Sequence, residues 1–123
     1  MAKVLIIDDE ENDRFLLGLA LDKMGHSYGE LPHGRLAVET LAAEQYDAVI
    51  LDLIMPETEG AETLQAIHQN FPDLPVIVMS GLGKDYLPMM SHLGAYAIAE
   101  KSADFNVVLS ALQSAFDEHR INV

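Results

Sequence analysis

The chain has no cysteine, which excludes disulfides, thiolate zinc sites and cysteine nucleophiles. Basic residues are scarce. Seven Lys and Arg face 20 Asp and Glu, for a net charge of −13 at pH 7. A field of that sign repels nucleic acid and anionic lipid, so neither is expected as a partner. It suits basic proteins, metal ions and metal-bound phosphate. No apolar run approaches the roughly 20 residues that span a bilayer. The opening MAKVLIID enters an apolar run at once and has no small-residue cleavage site. A secretory leader is therefore not expected, and the cytoplasm is the expected compartment. No Gly-rich loop follows the first run, which argues against dinucleotide binding. Linkers, low-complexity tracts and charge blocks are also missing, so residues 1–123 read as one domain.

Half of the 123 residues are hydrophobic, ample for a core. Short apolar runs at Val4–Ile7, Ala48–Leu51, Val76–Met79 and Tyr96–Ala99 read as strands buried on both faces. Ser27–Leu31, with Gly29 inside and Pro32 after it, reads as a sheet edge. Helix-period stretches lie between. Phe15, Leu16, Leu19, Ala20 and Met24 are expected to form one buried face, stopped at Gly25. Leu36, Ala37, Thr40 and Leu41 form a second face, and Leu64, Ile67 and Phe71 a third, ended by Pro72. Phe105, Val108, Leu109, Leu112 and Phe116 form a fourth, with Ser102 as a cap. Pro88 belongs in a first turn, so a short helix is expected over about Pro88–Leu93, ended by Gly94. The pattern predicts an α/β fold: a doubly wound five-stranded parallel sheet with helices on both faces.

In such a sheet ligands bind beyond the carboxyl ends of the strands. Asp8, Asp9 and Glu10 follow the first run, Asp52 the third, Ser80 the fourth, and Glu100 and Lys101 the last. Two carboxylates about 4 Å apart repel by roughly 4 kcal/mol at an effective dielectric near 20. Several in one pocket need a cation, and all-oxygen ligands favour a hard one, Mg²⁺. Asp52 is then the candidate nucleophile, forming an aspartyl phosphate. Ser80 can hydrogen-bond one phosphoryl oxygen and Lys101 can pair with another. Each residue alone has a plainer explanation: solvated turn acids, a helix cap, a turn hydroxyl, a surface lysine. Their joint placement is what points to phosphoryl chemistry.

VLIIDDEEN, DLIMPETEG, MSG and GAYAIAEK together resemble the receiver domain of two-component response regulators, over essentially the full length. The chemotaxis-type, single-domain receivers are the nearest kind. The resemblance implies a flavodoxin-like (βα)5 sheet ordered 2-1-3-4-5. It implies Mg²⁺ held by Asp9, Asp52, the Ile54 carbonyl and waters, with Asp8 assisting. It implies a phosphoryl group passed to Asp52 from a histidine kinase or phosphotransfer protein, Ser80 and Lys101 as phosphoryl-binding switch residues, and signalling through a changed protein-binding surface rather than enzymatic turnover.

Two positions depart from the family pattern. Ser102 follows Lys101 where a proline is usual, and Ile98 stands where an aromatic switch is usual. Tyr96, two residues earlier, is expected on the same side of its strand as Ile98. Met89 and Met90 lie in the family's docking region, so Tyr96, Met89, Met90 and Ile98 form the candidate output surface. Apolar Ile54 and Leu82 flank the site and should hinder an attacking water, giving slow self-dephosphorylation. Ending at Val123, the chain reads as a free-standing module without an attached output, or as one domain of a longer regulator. Two other readings compete. One is a phosphate-independent scaffold of receiver-like fold. The other is an Mg²⁺ phosphohydrolase, which has its nucleophile after the first strand in an Asp-x-Asp pattern that Asp8–Asp9 does not match.

Overall fold

Val, Ile and Leu at successive positions put apolar side chains on both faces of a strand, and such strands need cover on both sides. The computed structural model describes residues 2–53, 57–80, 87–101 and 105–118, with backbone alone at 57–59 and 87–88. The strands are β1 (Lys3–Ile7), β2 (Ser27–Leu31), β3 (Ala48–Asp52), β4 (Val76–Ser80) and β5 (Ala97–Glu100). They form one parallel sheet in the order β2-β1-β3-β4-β5. The helices are α1 (Glu11–Lys23), α2 (Ala37–Ala43), α3 (Glu57–Asn70), α4 (Leu87–His92) and α5 (Asn106–Glu118). This is the doubly wound, flavodoxin-like receiver fold. Among the described residues, no helix is long and apolar enough to cross a membrane.

Period-two alternation sorts each strand between two cores. Val4, Ile6, Ala48, Ile50, Ile77 and Met79 pack against Leu17 and Leu21 of α1 and Val108, Leu112 and Phe116 of α5. Leu5, Ile7, Val49, Leu51, Val76 and Val78 pack against Ala37 and Leu41 of α2, Leu64 and Ile67 of α3 and Met90 of α4. β2 is the edge expected of it, half-exposed or exposed at every position.

The buried face of α1 differs from the expected one. Leu17, Gly18 and Leu21 are buried. Phe15, Leu16 and Leu19 are 62, 45 and 44% exposed, and Met24 is exposed as the C-cap. Apolar residues surround this helix, so periodicity alone offers more than one face. Contact with β2 decides between them. The Tyr28 ring lies so close to Gly18 that a Cβ there would sit 2.5 Å from it. Gly18 therefore marks the inward side. Gly25, at φ +85, ends the helix as expected. Leu36 is exposed ahead of α2 rather than inside it. Phe71 follows α3, and Phe105 precedes α5 at φ +58. The Ser102 cap lies outside the described residues. The observed burial predicts that Leu21→Ala lowers the unfolding free energy by about 2–5 kcal/mol. Leu19→Ala should stay within about 0.5 kcal/mol of the parent. Denaturant titration of both variants measures the contrast.

Candidate functional site

Parallel strands deliver their last residues to one rim, and that rim gathers the predicted acids. Asp8 directly follows β1, Asp52 is the last residue of β3, Ser80 is the last of β4, and Lys101 directly follows β5. The register sets Asp52 beside Met79 and Ser80 beside Glu100. The Lys101 N–H donates to the Ser80 carbonyl (3.1 Å). One carboxylate oxygen each from Asp8, Asp9 and Asp52 lie within 4.8 Å of one another. Asp8 and Asp52 are fully buried, Ser80 nearly so, and Asp9 is exposed.

Asp8 is held from several directions. Its Oδ1 accepts the Glu10 N–H (2.9 Å), and its own N–H donates to the Leu31 carbonyl (3.1 Å). Arg14 donates to the Asp8 carbonyl (2.6 Å) while pairing with Glu30 (3.0 Å), which ties α1 to the ends of β1 and β2. Asp8 Oδ2 is buried and has no hydrogen bond among the described residues. Burial pushes the Asp8 carboxyl up to about 7, and the Asp52 charge adds to this. The Glu10 N–H and the Lys101 ammonium oppose it.

Among the described residues, Lys101 brings the cation to the site. Its Nζ lies 3.2 Å from Asp52, 3.5 Å from Asp8 and 2.6 Å from Asp13. Burial works against the ammonium, but the hydrogen bond to Asp13 and the charges of Asp52 and Asp8 outweigh it, and its pKa is raised. Asp13 was not among the expected site residues. The available signal was its place in the first turn of the helix that directly follows Asp8 and Asp9.

The donor set fits a hard divalent cation. Among the described residues it offers only oxygens, and one of them is a buried carboxylate oxygen with no hydrogen-bond partner there. Ile54, whose carbonyl was expected to join the ligands, lies outside the described residues, as do Leu82 and Ser102.

The four candidate output residues are not brought together on one surface. Met90 is 2% exposed and belongs to the core, so it cannot serve as a docking residue, whereas Met89 is 49% exposed. Tyr96 sits just before β5, packs toward the α1/α5 side and bonds to Glu118 through its hydroxyl. Ile98 packs on the opposite side. The two therefore do not share a face as expected, because their spacing begins outside the strand.

Residues 4–113 match the response regulator receiver domain. The chain belongs to that family. Receivers are the phosphoacceptors of two-component signalling, taking a phosphoryl group from histidine kinases or phosphotransfer proteins and binding Mg²⁺ at an acidic site. This receiver is 27% identical over 118 residues to the DNA-binding transcriptional regulator NtrC of Proteus hauseri. That match takes in 95% of this chain but only 25% of the regulator. Sporulation initiation phosphotransferase F of Bacillus subtilis is 29% identical over 112 residues, with 90% of each chain covered. The crystal structure of response regulator TrrA from Thermotoga maritima, in complex with Mg²⁺ and BeF, is similar with a TM-score of 0.83 at 28% identity. It covers 94% of this receiver and 99% of its own chain.

The raised Asp8 carboxyl predicts a signature in metal-free receiver. Its ordinary value is 3.8 and its folded value about 7, so between these the native state holds a proton that the unfolded chain releases. The stability from this proton is complete below about pH 4 and is lost as pH rises through 7. In chelator, Asp8→Asn should therefore unfold at a higher temperature than the parent at pH 8, with the gap closing toward pH 4. Thermal unfolding of both proteins across that range tests it.

Proposed function

We propose that Asp52 is the phosphoacceptor, with Mg²⁺ held by Asp8, Asp9, Asp52 and the Ile54 carbonyl. The observation that carries this reading is a fully buried Asp52 at a strand end, close to two further acids and 3.2 Å from a lysine ammonium. An Asp52 oxygen attacks the phosphorus of a phosphohistidine on the donor. The O–P bond forms as the P–N bond breaks, and the electron pair stays on the imidazole nitrogen, which takes a proton from solvent. Mg²⁺, when bound, neutralises charge on the phosphoryl oxygens. The Ser80 hydroxyl donates to one phosphoryl oxygen and the Lys101 ammonium pairs with another. The product is a changed state of the protein rather than a released molecule. The receiver's own chemistry is limited to accepting phosphate from small donors and losing it again. Apolar Ile54 and Leu82, two positions after Asp52 and Ser80 in the sequence, make that loss slow. The cytoplasm is the compartment this reading calls for.

The donor is a histidine kinase or phosphotransfer protein that docks on the outward side of α1. That helix starts at the site rim, and Phe15, Leu16 and Leu19 expose there a run of large apolar side chains. Such a patch marks a protein contact. The downstream partner reads the α4–β5–α5 side, where Met89 is exposed and Tyr96 is bonded to Glu118.

Acetyl phosphate with Mg²⁺ should label the protein, and Asp52→Asn should abolish the label. Intact-mass measurement reads the gain of one phosphoryl group, and equal labelling of both proteins would defeat the assignment. Phe15→Ser with Leu19→Ser should slow transfer from the cognate phosphohistidine donor about tenfold or more, the scale of one lost docking anchor. Labelling by acetyl phosphate should stay unchanged, since the small donor needs no docking face. A time course with each donor separates the two effects.

A further inference from the structure

A lysine ammonium carries three N–H donors, and in this receiver three carboxylates surround it. The nearest is not one of the expected metal ligands. Lys101 Nζ is 2.6 Å from Asp13, against 3.2 Å from Asp52 and 3.5 Å from Asp8. Asp13 projects from the first turn of α1, and its side chain keeps 18% exposure at the rim, whereas Asp8 and Asp52 are buried. The ammonium therefore hangs between a buried pair that would share a cation and a rim acid that would not.

We propose that Asp13 is a positioning residue, which draws the Lys101 ammonium outward and so leaves the Asp8–Asp52 seat open to a divalent cation. The inference rests on the metal site assigned above. The physical argument is competition. Asp8 and Asp52 lie close together and fully buried, and among the described residues the Lys101 ammonium is the positive charge that reaches both. Without another anion in reach, a lysine there settles fully onto that pair and becomes an internal competitor for the metal. An arriving divalent cation takes the Asp8 and Asp52 oxygens and repels the ammonium, whose displacement then leaves a partly buried charge unpaired. Asp13 removes that obstacle, because the lysine keeps its shortest ion pair while it yields the other two. The same anchor holds the flexible lysine stem at the rim of the site, within reach of Asp52, where a phosphoryl group would arrive. Arg14, the next residue, fixes the helix against the Asp8 carbonyl and Glu30, so Asp13 has a firm base.

A double-mutant cycle on Mg²⁺ affinity tests the proposal, using calorimetric titration of the whole protein at neutral pH. Asp13→Asn should weaken Mg²⁺ binding about threefold to tenfold, the range expected for a mostly buried ion pair at the rim that must be remade. In a Lys101→Ala background the same substitution should change affinity less than twofold, because no ammonium is left to fall into the seat. Equal weakening in both backgrounds would mean that Asp13 acts through its charge alone, and would overturn the proposal. So would no weakening in either. A second readout needs no metal. The Lys101 ammonium should give an ordered nitrogen signal by NMR in chelator, and that signal should move in Asp13→Asn and persist in the charge-retaining Asp13→Glu. A parent protein that binds no Mg²⁺ at all would defeat the metal-site reading itself. A parent that binds it as tightly as Asp13→Asn defeats only the role given to Asp13.

Discussion

Carboxylates crowd the rim where β1 and β3 end, and the site is organised around the compensation of that charge. Asp8, Asp9 and Asp52 bring oxygens within 4.8 Å of one another, two of them on fully buried residues. Burial disfavours the ionised form and the neighbouring Asp52 charge adds to this, so Asp8 takes up protons far more readily than an ordinary aspartate. Among the described residues, the ammonium of Lys101 compensates part of that charge. A divalent cation is a stronger one, and a phosphoryl group brings further charge for both cations to meet. Metal binding, phosphoryl acceptance and the placing of Lys101 are thus three settlements of one electrostatic problem.

The problem exists because the sheet is rigid and parallel. Val, Ile and Leu on both faces of β1, β3 and β4 are buried under helices on either side. Close packing of this kind does not relax to let the acids separate. Short links bring the next helix back directly, so the first turn of α1 rises beside Asp8. That helix has three functions on three sides. Leu17 and Leu21 enter the core, Asp13 and Arg14 reach the site, and Phe15, Leu16 and Leu19 face outward.

The strands could be located in the sequence because runs such as VLII and AVILD have no other place than the middle of a sheet. The site acids were legible because they follow those runs immediately, and parallel strands end on one side. The inward face of α1 was not legible. Its leucines fall on more than one side, and the approach of Tyr28 to Gly18, a contact between α1 and β2, selects among them. Met89 and Met90 are chemically the same, and only the angle of α4 sends one to solvent and the other to the core. Tyr96 and Ile98 have the spacing of one strand face, but the strand starts between them.

The amino-acid sequence by itself determined the alternation of strand and helix, the surplus of negative charge and which acids the strand ends carry to the rim. These depend on local periodicity and on chain order, both of which are written in the sequence. The tertiary structure alone decided which acid holds Lys101 most closely. In a chain with 20 acidic residues, one more aspartate on a helix carries no local signal. Its role arises from the 2.6 Å that separate it from a lysine 88 positions away, and that distance exists only once β5 lies alongside β4 and α1 has docked.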